Sequence, residues 1–234
     1  MKKLALGFAL LVLAGCAATP AARGTVLVIG ASSGTGLEIT KVLAARGDDV
    51  TAFVRPTSNR TELDALHVKY AVGDATDAAS VRKALSGHKV RAIVSTLGGR
   101  RGDSQRPDLI GTKNLADAAK AAGVKRMVMI TVIGAGDSKN ALPERVQQSL
   151  GPIVPLKTQT EAALQASGVP YTIVRPGGLT TNPASGKGTL TLDHTAFSSI
   201  SRAELARLTV QTLDDPKAAN QIYHAIDPTN GGRN

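Results

Sequence analysis

Cysteine and aromatic residues are scarce in this chain of 234 residues. It has one cysteine, Cys16, together with three Tyr, three Phe and no Trp. A single thiol excludes an internal disulfide and a thiolate metal cluster. The four histidines are scattered, with no pair at metal-ligand spacing, so the sequence predicts no metal site. Because aromatic residues are so few, the core must be aliphatic, which suits a parallel sheet covered by Ala-rich helices.

Positive charge is in excess, but it is not concentrated. The chain has 28 basic and 18 acidic residues, a net charge of +10. No long Lys/Arg run and no set of aromatic side chains for base stacking accompany this charge, so we expect no nucleic-acid partner. A solvated basic surface that also attracts anionic cofactors or lipid headgroups accounts for the excess.

The first sixteen residues have the pattern of an export signal. Lys2 and Lys3 precede the apolar segment Leu4–Ala14, which is too short to anchor a chain across a bilayer but suits a secretory signal. Leu13–Cys16 then resembles the lipobox of bacterial lipoproteins, in which the cysteine is acylated and becomes the first residue. An incidental cysteine after a hydrophobic helix is the weaker interpretation.

This resemblance predicts both the boundaries and the location of the mature protein. We expect a signal peptide over residues 1–15, a lipidated tether over 16–23 and one domain over 24–234. Ala17 follows the cysteine, and by resemblance the absence of Asp there favours the periplasmic side of the outer membrane of the bacterial cell envelope. If the signal is not used, the protein is cytoplasmic.

Beyond Thr25 the pattern alternates between strands and helices. This alternation predicts an α/β fold: a single, doubly wound Rossmann-type parallel sheet with helices on both faces. The strands are expected at Val26–Ile29, Val50–Val54, Val68–Val72, Ala92–Ser95, Arg126–Thr131 and Tyr171–Val174. The helices are expected at Leu37–Ala45, Ala79–Leu85, Leu109–Ala122 and Leu156–Ala166. Gly99–Pro107 and Gly134–Pro155 are expected to be long loops.

A glycine-rich turn joins the first strand to the first helix. Its sequence is Gly30-Ala31-Ser32-Ser33-Gly34-Thr35-Gly36. Ligands of such sheets bind at the carboxyl ends of the strands. Glycines there let the backbone approach a pyrophosphate, while the helix N-terminus supplies free N–H groups and a positive dipole end. We therefore expect this turn to bind the phosphates of a nucleotide.

Arg55 follows the second predicted strand, close to the hydroxyls of Thr57 and Ser58. An NAD site usually has an acidic residue at this position, whereas an arginine accommodates the 2′-phosphate of NADP. A surface arginine at a strand end is the alternative. The pattern favours NADP(H), with NAD(H) as the less favoured cofactor.

At this point the chain resembles the atypical short-chain dehydrogenase/reductases, in the NAD(P)H-binding branch that includes NmrA-like redox sensors and the biliverdin-IXβ and flavin reductases. The resemblance covers nearly all of Thr25–Asp227. It rests on segments whose order and spacing match that branch. They are Gly73–Asp77, Ser95–Gly98, Ala121–Arg126, Ile133–Ser138, Thr160–Leu164, Ser167–Leu179 and Ile200–Ala206.

The resemblance implies a set of cofactor-binding residues. They are Gly30, Ala31, Ser32, Ser33, Gly34, Thr35, Gly36, Arg55, Asp74, Ala75, Thr96, Leu97, Gly98, Lys157 and Pro176. The larger branch of the family uses a Tyr-x-x-x-Lys motif for proton transfer, and this chain lacks it. Lys157 and Thr131 are left as weak candidates for catalysis. Lys157 is equally well explained as an ordinary solvated lysine, and Thr131 as an ordinary strand-end hydroxyl.

Without an evident acid, the simplest enzyme of this kind is a direct hydride donor. It would pass a hydride from NADPH to a small planar acceptor such as a flavin, a quinone or a tetrapyrrole, with the proton coming from solvent or substrate. The alternative is a non-catalytic, NADP(H)-binding redox sensor or regulatory protein of the NmrA-like type. The oligomeric state does not follow from the sequence.

Overall fold

The structure is a computed structural model that describes residues 24–87, 89–99, 106–151 and 153–230. The signal peptide, the tether and Cys16 lie outside the described residues, as does most of the Gly99–Pro107 loop. In the part that is described, no helix is both long enough and apolar enough to cross a membrane.

Eight of the ten strands in the described residues form one central sheet. The strands are β1 (Thr25–Ile29), β2 (Val50–Val54), β3 (Lys69–Val72), β4 (Val90–Ser95), β5 (Arg126–Ile130), β6 (Tyr171–Pro176), β7 (Leu179–Thr180), β8 (Thr189–Thr191), β9 (Ile200–Ser201) and β10 (Gln221–Ile226). The sheet order is β3-β2-β1-β4-β5-β6-β10-β8, and β7 pairs with β9 in a separate two-stranded sheet. All pairings of the large sheet are parallel except β10 with β8. The predicted doubly wound fold is confirmed, with one antiparallel edge strand.

Helices cover both faces of this sheet. They are α1 (Gly34–Ala45), α2 (Thr61–Asp64), α3 (Ala78–Leu85), α4 (Asp108–Ala121), α5 (Glu144–Leu150), α6 (Ile153–Ala166) and α7 (Arg202–Thr212). The alternation of side chains along β1 shows the two faces. Val26 and Val28 belong to the core cluster with α1 and α7, whereas Leu27 and Ile29 belong to the cluster with α3, α4 and α6.

The prediction of one long loop over Gly134–Pro155 is wrong in the centre of that segment. A 3-10 turn spans Gly136–Ala141, and the helix α5 follows at Glu144–Leu150. Pro155 lies inside the first turn of α6, where its missing N–H has no intrahelical partner to lose. Proline and glycine here mark helix starts rather than one continuous loop.

The chain reverses its direction of winding between β1 and β4. Strands β2 and β3 lie on one side of β1, and β4, β5 and β6 follow on the other. Such a switch point opens a crevice at the carboxyl ends of the two central strands, where ligands of doubly wound sheets bind. The loops after β1 and β4 meet at this crevice.

Candidate cofactor cleft

The glycine-rich turn is held against the end of β4. Thr96 donates hydrogen bonds from its backbone N and its Oγ1 to the carbonyl of Ile29, at 3.1 and 3.0 Å. Gly30 has a φ of +80°, and a Cβ there would lie 2.5 Å from Thr96 Oγ1. A Cβ on Gly36 would lie 2.1 Å from the Gly30 carbonyl oxygen. Only glycine allows this close approach of turn, helix and strand.

The N-terminus of α1 faces the crevice with its N–H groups uncapped. The N-cap residue, Ser33, makes no side-chain hydrogen bond to the helix, and the first turn has no acidic residue. Ser33 and Gly34 are exposed. A phosphate is the group that would satisfy such N–H donors and the positive end of the helix dipole. The turn therefore fits a nucleotide pyrophosphate.

A cleft of about 1210 Å³ opens along the carboxyl ends of the central strands. This volume exceeds the range of roughly 300–1,000 Å³ for sites that hold a single small ligand. The residues that line it are Ile29, Gly30, Ser32, Ser33, Gly34, Thr35, Phe53, Val54, Arg55, Ser58, Asp74, Ala75, Thr76, Thr96, Leu97, Gly98, Gly99, Arg106, Pro107, Ile110, Ile130, Thr131, Lys157, Leu179 and Arg202. The cleft is therefore large for a ligand site.

The structure brings most of the sequence-predicted site residues together in this cleft. Three of the predicted cofactor-binding residues do not line it. Ala31 is fully buried in the core, and Gly36 is buried beneath the turn. Pro176 is buried in β6, and its carbonyl accepts a hydrogen bond from the backbone of Ile133. Ala31 and Gly36 shape the turn, whereas Pro176 belongs to the sheet interior.

Arg55 and Asp74 line one end of the cleft. The Ser58 hydroxyl accepts a hydrogen bond from the Arg55 backbone N at 3.1 Å, which closes a tight turn after β2. Among the described residues no carboxylate forms an ion pair with Arg55. Asp74 Oδ1 accepts from the backbone N and the hydroxyl of Thr76, both at 2.8 Å. The Arg55 guanidinium is therefore available to a ligand.

Lys157 reaches the cleft wall from α6 and is 8% exposed. Its Nζ donates to the Leu97 carbonyl at 2.7 Å and forms an ion pair with Asp108 Oδ1 at 2.7 Å. Asp108 is fully buried at the start of α4. Since an ammonium group has three donors, one N–H of Lys157 is left to point elsewhere. Lys157 is a positioned cation rather than a solvated helix lysine.

Thr131 stands at the inner wall of the cleft, just beyond β5. Its hydroxyl donates to Glu161 Oε1 at 2.6 Å. Both carboxylate oxygens of Glu161 also accept from the buried Arg175, at 3.1 and 2.7 Å. Because the hydroxyl hydrogen is directed to Glu161, Thr131 offers lone pairs to the cleft and no proton.

Arg175 forms a second ion pair, with Asp137. Its Nη1 donates to Asp137 at 2.6 Å, and the other oxygen of Asp137 lies 2.8 Å from Nδ1 of His194. Partial burial would raise the pKa of Asp137, but the hydrogen bonds from Arg175 and His194 outweigh it and lower that pKa to about 2. His194 stacks on His224, with ring centroids 5.0 Å apart. Burial lowers the pKa of His224.

Comparison with known protein families shows which family the chain belongs to. Residues 30–216 match a family described as NAD(P)H-binding. The chain belongs to this NAD(P)H-binding family. The match begins at the glycine-rich turn and extends beyond α7, so it includes every described residue of the cleft except Ile29.

Solved and curated relatives of the family include reductases. The solved structure titled an anaerobillin reductase, ChuY from Escherichia coli O157:H7, is 31% identical with a TM-score of 0.76, over 87% of this chain and 97% of that one. Sanguinarine reductase from Eschscholzia californica is 29% identical over 85% of this chain and 87% of its own length. An NAD(P)H azoreductase from Xenophilus azovorans is 29% identical over 87% of this chain and 68% of its own.

Several cleft residues were not singled out by the sequence. The cations Arg106 and Arg202 and the apolar Ile110 and Leu179 line the cleft together with the predicted residues. Arg202 belongs to Ile200–Ala206, a segment the resemblance had matched without giving it a role. For Ile110 the only signal was its place in the first turn of the long Ala-rich helix, on the side away from the core.

Proposed function

We propose that this protein is an NADPH-dependent reductase that transfers a hydride to a small, flat and largely apolar acceptor such as a flavin, a quinone or a linear tetrapyrrole. The cleft itself carries this proposal. Ile110 is 52% exposed and Leu179 is 36% exposed, and both line the same cleft as the phosphate-binding turn. Exposed apolar side chains beside a cofactor turn form a suitable wall for an apolar acceptor.

The named relatives support this chemistry. The three similar proteins described above are named as reductases of anaerobillin, sanguinarine and azo compounds. Sanguinarine and azo compounds are conjugated and flat, and they accept a hydride without a preceding covalent step. The family to which the chain belongs binds the cofactor that supplies such a hydride.

The residues of the chain would position the reactants rather than react themselves. The bound NADPH supplies the hydride. The turn at Gly30–Gly36 would bind phosphates, and the unused N–H of Lys157 would donate to a hydroxyl or carbonyl oxygen. Thr131 would accept a hydrogen bond. Among the described cleft-lining residues there is no Tyr, His or Cys, so we assign the proton to solvent or to the acceptor.

The preference for NADP(H) is also part of the proposal. Arg55 has no acidic partner among the described residues and lies beside Ser58 at the cleft end. A guanidinium of this kind matches a 2′-phosphate in geometry and charge, whereas a ribose hydroxyl needs an acceptor.

We further propose that the mature protein is attached to the bacterial cell envelope through acylated Cys16. The lipobox-like segment Leu13–Cys16 and the preceding basic and apolar residues support this location. Attachment would place a reductase beside apolar acceptors that partition into the membrane.

Two contacts in the cleft wall favour a second candidate, a non-catalytic sensor of NADP(H). Lys157 is paired with Asp108, and the hydroxyl hydrogen of Thr131 is directed to Glu161. Neither of these two groups, as the structure describes them, is a free acid, and a protein of this kind can bind a cofactor and signal its presence without turnover. The absence of the Tyr-x-x-x-Lys motif agrees with this alternative.

Steady-state oxidation of NADPH in the presence of flavins, quinones, linear tetrapyrroles and azo compounds separates the two candidates. We expect turnover with at least one of these classes. A Gly36→Val variant should lose NADPH binding and turnover together, because its side chain meets the Gly30 carbonyl, and its circular dichroism shows whether it still folds. NADPH binding by the unchanged protein without oxidation by any class would favour the sensor.

A further inference from the structure

Arg202 is the first residue of α7, and its position is unfavourable for a structural cation. Helix N-termini carry a partial positive charge, so a cation in the first turn is destabilising. The acidic residue of that turn, Glu204, does not form an ion pair with Arg202. Glu204 is fully buried and is bound by Arg207 at 2.6 Å and by the backbone N–H groups of Gly186 and Gly188.

The Arg202 side chain is directed over the phosphate-binding turn. A Cβ built on Gly34 would lie 3.7 Å from Arg202 Nε and 3.9 Å from its Cδ. Nη1 donates to the carbonyl of Thr180 at 3.2 Å, which fixes the guanidinium against β7. No ion pair to Arg202 occurs within the residues that the structure describes. Arg202 also lines the cleft.

Two helix N-termini therefore converge with one unpaired guanidinium. Helices α1 and α7 pack against each other on the same face of the sheet, and their first residues, Gly34 and Arg202, meet at the cleft. The first turn of α1 contains no acidic residue. A doubly charged anion at this point would relieve the repulsion and accept charge-assisted hydrogen bonds from the guanidinium.

We propose that Arg202 is a cofactor-binding residue that clamps the pyrophosphate of NAD(P)H against the Gly30–Gly36 turn. The pyrophosphate is favoured over the 2′-phosphate because Arg202 lies at Gly34, the residue that opens α1, whereas Arg55 follows a different strand. The proposal depends on cofactor binding by the family and not on hydride transfer, so it stands whether the protein is a reductase or a sensor.

Calorimetric titration with NADPH, NADH and 2′-AMP tests this role. The two dinucleotides share the pyrophosphate, and 2′-AMP contains only a 2′-phosphate. For Arg202→Gln we expect Kd to rise about 10- to 100-fold for both dinucleotides, which is the effect of one charge-assisted hydrogen-bonding group. The Kd of 2′-AMP should stay within twofold. Arg55→Gln should weaken NADPH and 2′-AMP binding and leave NADH binding unchanged.

Matched variants exclude general effects of charge and folding. Arg82→Gln removes an equal charge from the exposed end of α3 and should change no Kd by more than twofold. Arg202→Met keeps the aliphatic stem over Gly34 and should reproduce the loss seen with Gln. If thermal unfolding shows that the Gln variant does not fold, the Met variant decides the question.

Three results would overturn the proposal. They are an unchanged Kd for both dinucleotides, a loss confined to NADPH, and a loss for 2′-AMP as large as the loss for NADPH. The second result would make Arg202 a reader of the 2′-phosphate, and the third would make it a structural residue of the whole cleft.

Discussion

Arg55 and Lys157 are both cations in the cleft wall, but their surroundings differ. Lys157 is 8% exposed and is held by Asp108 and the Leu97 carbonyl. Arg55 is exposed and has no carboxylate partner among the described residues. The Lys157 side chain is therefore fixed before any ligand binds, whereas the Arg55 guanidinium is available to contact the cofactor.

Replacing Arg55 by Asp should reverse the cofactor preference. The substitution removes a charge-assisted contact to the 2′-phosphate and adds a repulsive carboxylate, so NADPH binding should weaken by about 1.5–3 kcal/mol or more. Binding of NADH should change little, since Asp can accept from ribose hydroxyls. Titration with both cofactors measures the two values, with Arg82→Asp as the control. Equal affinity of the unchanged protein for NADPH and NADH would remove the basis of this prediction.

The sequence predicted the role of a single residue only where that residue belongs to a local pattern. The glycine-rich turn and Arg55 were found because their signals lie within seven residues of a strand end. The roles of Lys157 and Thr131 stayed open because their partners are distant in sequence. Leu97 is 60 residues from Lys157, and Glu161 is 30 residues from Thr131.

At the scale of elements, a buried ion pair joins α6 to the sheet. Glu161 on α6 and Arg175 on β6 have side chains that are 3% and 1% exposed, with Nη2 2.7 Å from Oε2. Thr131 and Asp137 attach the end of β5 and the following 3-10 turn to the same pair. The pair therefore fixes the inner wall of the cleft.

Glu161→Ala should destabilise the protein by about 3–5 kcal/mol, because it leaves the Arg175 charge buried without its main partner. The double replacement Glu161→Leu with Arg175→Met should recover much of that loss, since no unpaired charge is left. Urea unfolding measures both. As a control, Lys41→Ala breaks the exposed pair with Glu62 and should cost less than about 1 kcal/mol. If Glu161→Ala costs no more than this control, the pair does not hold the wall.

The elements that the sequence predicted correctly are those with a strong local pattern of apolar residues and turn residues. Every residue of β1, β2 and β5 is buried and four of the five in each strand are apolar, and the helices α1 and α4 end at glycine-marked turns. The missed elements depend on tertiary contacts. Strand β10 is recognisable only through its pairing with β6, and β8 is a three-residue edge strand. Helix α5 has no buried residue and was concealed by flanking prolines.

At the scale of the whole molecule, the proposed attachment through Cys16 can be distinguished from binding by surface charge. A chain that begins at Cys16 would have 26 basic and 18 acidic residues. Its surface charge alone would give membrane binding that high salt reverses. Several acyl chains on Cys16 would give binding that salt does not reverse.

Cys16→Ser should therefore accumulate as an unprocessed precursor without lipid mass. The unchanged protein should remain in the membrane fraction at high salt, since burial of acyl chains is not screened. Fractionation and intact-mass analysis measure both properties. A soluble, unmodified chain that retains Met1 would place the reductase in the cytoplasm and refute export.

Transfer of deuterium tests the central claim most directly. The protein is incubated with NADPH dideuterated at C4 of the nicotinamide and an acceptor that gains its hydride on carbon, such as a linear tetrapyrrole or an iminium alkaloid. A carbon-bound deuterium does not exchange with water, so mass spectrometry of the reduced acceptor reports direct transfer. We expect each product molecule to carry a single deuterium, because the proposed reaction passes one hydride directly from the cofactor to the acceptor. Reduced acceptor without deuterium, or cofactor that binds and is never oxidised, would contradict a reductase that transfers hydride directly.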